Sequence, residues 1–224
     1  SADYSQIELR VLAHLSEDAA LIQAFVRGED IHDQTARRVF GTDSELDPHE
    51  LRRRAKIINY ALLYGKTAFT LAQDIGVPPH AAQEFIDAYF AGYPEVRGFL
   101  EKLIADARDN GEVRTLLGRR RLVPELRSRN GQIRAAAERV AVNMPIQGTA
   151  ADILKQAMID LASKLPASAS MILTVHDELV LEAPADEADS VASLVRDTMA
   201  GAADLRVPLA VDVGIGKNWM AAKG

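Results

Sequence analysis

Two stretches far apart in the chain, Asp3-Tyr4-Ser5-Gln6-Ile7-Glu8-Leu9-Arg10 and Val175-His176-Asp177-Glu178, each put a carboxylate where a β-type run ends. Between them lies RRRAKIINYALLYG, Arg52 to Gly65. At about 100° per residue, Leu51, Ala55, Ile58 and Leu62 form one apolar stripe of a helix, while Arg52, Lys56 and Tyr60 follow at i+4 steps on another face. Two cations and then an aromatic ring in line suit a nucleotide, phosphates first and base last. A surface helix with incidental arginines carries the same pattern, and a lone aspartate in a turn is most often structural. Each feature by itself therefore decides little.

Charge is distributed unevenly. The net charge of -6 argues against a polyanionic partner, yet Glu112 to Arg139 holds eight basic residues (Arg114, Arg119, Arg120, Arg121, Arg127, Arg129, Arg134, Arg139) against three acidic ones (Glu112, Glu125, Glu138), an excess of +5. Arg52, Arg53, Arg54 and Lys56 make a second cationic group. A solvated helix face accounts for one such group; two favour phosphate binding. The 224 residues, 48% of them hydrophobic, suffice for a sizeable core and one or two domains. With no cysteine, no apolar run near the length of a membrane span and no secretory start, the expected location is the cytoplasm, away from membranes.

The elements that must position these residues follow from periodicity. Ser5 to Phe40 reads as consecutive amphipathic helices punctuated by Gly28 and Gly41. A stronger helix starts at Pro48, capped by Asp47, and runs to Gly65. Further helices fit Ala68 to Ile75, His80 to Phe90 and Glu95 to Asp109, and Val113 to Leu117 with Arg121 to Val123 suggests a small hairpin through Gly118. Gln132 to Lys164 is helical again, with an interruption expected near Pro145 and Gly148. Met171 to Val175 and Leu179 to Leu181 form β-type runs that put His176, Asp177 and Glu178 at a hairpin turn. Ala185 to Met199 is a helix and Leu209 to Ile215 a last strand.

Taken together, the two carboxylate stretches and the helix between them resemble, in order and spacing, the three sequence motifs of family A DNA polymerases of the bacterial DNA polymerase I type. The resemblance covers nearly the whole chain. It implies an α+β fold: a mostly helical fingers subdomain (17–127) inserted into a palm with a small antiparallel sheet (1–16 and 128–224). It also implies template-directed DNA synthesis, in which a deoxynucleotide passes from a dNTP to a primer 3′-hydroxyl with release of pyrophosphate, by a DNA-directed nucleotidyltransferase acting as a monomer on primer-template DNA with two Mg2+ ions.

Residue by residue, the resemblance makes Asp3 and Asp177 the metal-binding aspartates, helped by the backbone carbonyl of Tyr4, with Glu178 beside them. Hard oxygen ligands suit magnesium, and phosphoryl transfer gains most from positioning and charge neutralisation. Arg52 and Lys56 look like the triphosphate pair, Lys56 also being the proton donor to pyrophosphate, and His32 like a further phosphate ligand. Tyr60 would pack on the sugar and base, Tyr64 would lie by the templating position, and Gln6 belongs to the same nucleotide-binding set. Glu8 resembles the glutamate that leaves no room for a 2′-hydroxyl, which disfavours RNA synthesis. Arg121, Arg139, Asn143, Gln147 and His176 match positions that touch primer and template, where minor-groove acceptors common to all base pairs allow pairing to be checked without reading sequence.

Ile57 stands where threonine is frequent in the family, and Ala61 where glycine is frequent. No thumb helices and no proofreading-like domain are evident, so the chain is expected to be part of a longer enzyme and to extend primers poorly alone. The alternative is a catalytically incomplete nucleic-acid-binding fragment, which has no need to keep Asp3, Glu8, Arg52, Lys56, Tyr60 and Asp177 together.

Overall fold

The computed structural model describes residues 1–41 and 46–223. The fold is α+β, and the chain divides into two compact units, Ser1–Val11 with Gln147–Gly224, and Leu12–Ile146. Helices α1 (Ile7–Ser16) and α8 (Gly131–Lys164) carry the chain between them.

The unit holding both chain ends is built on a four-stranded antiparallel sheet of order β4-β5-β1-β6. Its strands are β1 (Ala2–Tyr4), β4 (Ser170–Val175), β5 (Glu178–Glu182) and β6 (Val211–Val213), joined by α9 (Ala188–Ala200) and followed by α10 (Trp219–Lys223). Register decides which side chains meet: Asp3 stands opposite Glu178 on one side and Asp212 on the other. Like charges directly opposite one another oppose pairing. What holds β1 in place is its apolar alternation, with Ala2 and Tyr4 buried, and the Tyr4 hydroxyl donating to the Met199 carbonyl at 2.7 Å.

Two expectations shift in this unit. The strand expected over Leu209–Ile215 is confined to Val211–Val213, the residues that find ladder partners in the three-residue β1. The β4–β5 hairpin turns on His176 and Asp177 alone, because Val175 already pairs with Glu178 and draws the glutamate into β5.

Among the described residues the other unit is helical apart from the hairpin of β2 (Glu112–Arg114) and β3 (Arg120–Leu122). It contains α2 (Ala19–Val26), α3 (Ile31–Phe40), α4 (Pro48–Leu63), α5 (Ala68–Ile75), α6 (Pro79–Gly92) and α7 (Pro94–Asn110). Helix α4 starts where the sequence predicts: the Asp47 side chain accepts from the His49 and Glu50 amides and Pro48 occupies the first turn. Its apolar stripe of Ala55, Ile58 and Leu62 is buried, with Leu51 half-buried at the margin. A second small core joins the hairpin to α7 and α8 through Ala107, Val113, Val123, Leu126, Ala137 and Ala141.

The interruption expected near Pro145 and Gly148 is absent. Helix α8 runs unbroken for 34 residues with Pro145 inside it. A proline removes one intrahelical donor at a cost of about 3 kcal/mol. The side chains of Ala141, Val142, Ile146, Ala150 and Ile153 on the flanking turns are all buried, and each buried aliphatic group is worth about 1 to 3 kcal/mol, enough to carry the helix past the missing bond.

Candidate active site

In the sheet-bearing unit, the junction of β1 and the β4–β5 turn brings the two predicted aspartates together. The Tyr4 amide donates to the Asp177 carbonyl at 3.3 Å, which ties the end of β1 to the turn. His176 reaches this turn with a left-handed φ of 57°, and Gln6, at the entry to α1, has a φ of 56°. Non-glycine residues take that conformation at a cost of about 1 to 2 kcal/mol, and such strain concentrates at functional sites. The turn around Gln6 is braced by buried Arg10, whose guanidinium donates to the carbonyls of Ser5 at 2.8 Å and Pro208 at 2.7 Å. Glu8 is half-buried in the first turn of α1.

Burial raises the Asp3 carboxyl to about 6, reinforced by the charges of Asp177 and Glu178. Its Oδ1 atom is buried with no hydrogen-bond partner. An oxygen of that kind, in a field of like charges, fits a hard divalent cation, which would supply the missing partner and relieve the repulsion. Among the described residues no three or more His, Cys, Asp and Glu side chains are arranged to hold a metal by themselves.

Glu178 is differently disposed from its neighbours. It is 2% exposed, and its two oxygens accept from Trp219 Nε1 at 2.6 Å, from Lys223 Nζ at 2.8 Å and from the Ser1 hydroxyl. Burial pushes this carboxyl up, but those donors outweigh it and hold it down to about 2.

In the helical unit, α3 and α4 present the nucleotide candidates. Asn59 is buried; its amide Nδ2 donates to His32 Nδ1 at 3.0 Å while its Oδ1 accepts from Thr35 Oγ1 at 3.1 Å. With Nδ1 accepting, the neutral imidazole carries its proton on Nε2 and is a donor there. Burial lowers His32 to about 4, so it is neutral at physiological pH. The His32 and Tyr60 rings lie 6.0 Å apart, and Tyr60 and Tyr64 6.2 Å. Lys56, Tyr60 and Tyr64 line one cavity of ≈ 400 Å³ together with Ile57 and Ala61. Arg52 is not free: it donates to Asp30, and Asp33 stands 3.6 Å away.

The candidate DNA contacts are placed singly. Arg121 on β3 and Arg139 on α8 are exposed. Arg139 lies along Gly65, whose φ of 67° ends α4; a Cβ there would sit 3.5 Å from Arg139 Cγ. Asn143, one turn on from Arg139, has a buried Oδ1 with no partner. Gln147 and His176 are exposed in the sheet-bearing unit.

Sequence reasoning misses Asp30, Asp33, Asn59, Trp219 and Lys223. Asn59 was the most visible of them, a polar residue inside the apolar run Ile57 to Leu63, and Trp219 is the chain's one tryptophan.

Comparison with known proteins gives one consistent result. The sequence model of DNA polymerase family A matches residues 1–221. The thermostable DNA polymerase I of Thermus aquaticus is 52% identical over 222 residues, 99% of this chain and 27% of that protein. The DNA polymerase I of Deinococcus radiodurans is 51% identical over 224 residues, 100% of this chain and 23% of that protein. The chain thus spans about a quarter of the length of these relatives. Among solved structures, the POL domain of Pol1 from M. smegmatis, in complex with DNA primer-template and dNTP, superposes with a TM-score of 0.93 at 46% identity, covering 100% of this chain and 40% of that one. The motifs around Asp3, Lys56 and Asp177 and the match along the chain lead to one conclusion: this protein belongs to DNA polymerase family A.

Proposed function

We propose that this chain is the nucleotide-joining portion of a DNA-directed DNA polymerase that transfers a deoxynucleotide from a dNTP to the 3′-hydroxyl of a primer and releases pyrophosphate. The observation that carries the reading is the meeting of Asp3 and Asp177 at the β1 end and the hairpin turn, with the Tyr4 amide on the Asp177 carbonyl at 3.3 Å and an unpartnered Asp3 oxygen. Asp3, Asp177 and the Tyr4 carbonyl would hold two Mg2+ ions. When bound, these supply charge neutralisation at the triphosphate and an acidified primer hydroxyl.

The chain's own residues do the rest. Arg52 and Lys56 bind the triphosphate, with Lys56 placed to protonate pyrophosphate. His32 donates to a phosphate oxygen as a neutral imidazole. Tyr60 packs on the sugar and base, Tyr64 takes the templating side, and Gln6 and Glu8 flank the sugar, Glu8 excluding a 2′-hydroxyl. Arg121, Arg139, Asn143, Gln147 and His176 hold primer and template. In this reading residues 17–127 are fingers and 1–16 with 128–224 are palm, working as a monomer in the cytoplasm. Among the described residues no helix is long and apolar enough to cross a membrane.

Primer extension by the longest form of the protein tests this directly. Asp3→Ala or Asp177→Ala should abolish extension while primer-template binding stays within a few fold, because the duplex is gripped through its phosphates. Near-normal turnover in either variant overturns the assignment.

A further inference from the structure

Glu178 follows a proposed cation ligand in sequence and stands across the ladder from the other. A carboxylate in that position is a ready third ligand, yet both its oxygens are taken by donors, the Ser1 hydroxyl on Oε1 and two groups of the C-terminal helix. Trp219 Nε1 donates to Oε1 at 2.6 Å and Lys223 Nζ to Oε2 at 2.8 Å, and the Lys223 ammonium lies 5.6 Å from the Trp219 ring centre.

The seat of α10 is equally specific. A Cβ on Gly214 would overlap the Ala222 carbonyl, and one on Gly216 would lie 2.6 Å from the Ala221 carbonyl carbon and the Ala222 nitrogen. Real side chains do not approach backbone that closely, so the Gly214-Ile215-Gly216 stretch is what allows α10 to reach Glu178. Asp3, Glu178, Asp212, Gly214 and Lys223 all line one cavity of ≈ 550 Å³.

We propose that Trp219 and Lys223, seated by Gly214 and Gly216, are positioning residues that hold the Glu178 carboxylate away from the cation site of Asp3 and Asp177. This rests on the reading of those aspartates as cation ligands given above. Magnesium that handles phosphates is bound through one or two carboxylates, with its remaining positions left to water and substrate oxygens. A third carboxylate would fill a position the substrate needs and bind the cation too firmly. Restraining Glu178 keeps the site open, and the Lys223 charge offsets the acid it restrains.

Mn2+ binding followed by the electron paramagnetic resonance of the free ion, on the longest form of the protein without DNA or nucleotide, tests this. Trp219→Phe removes a donor and no charge, and Gly214→Ala displaces α10 with every charge retained. Each should tighten Mn2+ binding by about threefold, and Lys223→Met, which also removes a positive charge, by about tenfold. Adding Glu178→Gln to Trp219→Phe should erase the gain. If Trp219→Phe and Gly214→Ala leave the affinity unchanged or weaker, the positioning role is overturned. Should Gly214→Ala fail to fold, Trp219→Phe decides by itself. Asp177→Asn locates the site: loss of the tight Mn2+ upholds the cation-site reading, and its retention overturns both that reading and this inference.

Discussion

Arg52 places both its Nε and Nη2 on a single oxygen of Asp30, at 3.1 Å and 2.6 Å, while the other Asp30 oxygen caps α3 by accepting from the His32 and Asp33 amides at 2.8 Å and 3.0 Å. The guanidinium proposed to grip a triphosphate is therefore already gripping a carboxylate, and nucleotide binding has to exchange one anion for another.

Asp30→Asn separates the two duties of that carboxylate. Asparagine caps a helix as well as aspartate does, so α3 keeps its start. Arg52 loses its ion pair, which at 43% and 32% exposure of the two side chains is worth about 1 kcal/mol. Triphosphate affinity, measured by stopped-flow, should improve by roughly fivefold. An unchanged or weaker affinity would show that Arg52 does not need to leave Asp30.

Asp3 should cost stability in the absence of a divalent cation. Its folded-state carboxyl is raised from 3.8 to about 6, so the native state binds the proton more tightly than the unfolded chain does. The stability this contributes is complete below pH 3.8 and is lost as pH rises through 6. Two pKa units correspond to nearly 3 kcal/mol, which partial exposure discounts to about 1 kcal/mol. Asp3→Asn should therefore raise Tm by about 2 to 4 °C at pH 7.5 without metal. The gain should vanish below pH 4 and shrink with excess Mg2+, which stabilises only the wild type. A lower Tm for the variant at pH 7.5 in EDTA would refute the account.

Tyr60→Phe tests the register of α4. A dideoxynucleotide lacks the 3′-hydroxyl that satisfies nearby polar groups, and leaving them unpaired costs about 1 to 3 kcal/mol. The Tyr60 phenol can supply part of that bonding, whereas phenylalanine cannot. The ratio of deoxy to dideoxy incorporation efficiency should grow by about tenfold. If it does not change, Tyr60 does not face the sugar.

What was legible in the sequence was what local chemistry dictates. Asp47 and Pro48 announce the start of α4, its 3.6-residue period announces the buried stripe, and the polar pair between two β-type runs announces the turn at His176 and Asp177. Pro145 suggests a break because the lost hydrogen bond is visible in the sequence, whereas the burial on the neighbouring turns that offsets it is not. The partners of Arg52 and Glu178 were hidden for a different reason. Asp30 is 22 residues from Arg52 and Lys223 is 45 from Glu178, distances at which no period or spacing links a donor to its acceptor. The family resemblance names candidate ligands and says nothing of the partners of Arg52 and Glu178.

The Thr35–Asn59–His32 chain of hydrogen bonds acts as a weld between α3 and α4. Thr35, Asn59 and His32 are each at most 2% exposed, so no water waits to take up a bond that breaks, and pulling the two helices apart would strand polar groups in an apolar interior. The two helices are therefore fixed to one another at this point, and the backbone positions from which the imidazole, the guanidinium, the ammonium and the phenol project share one rigid frame.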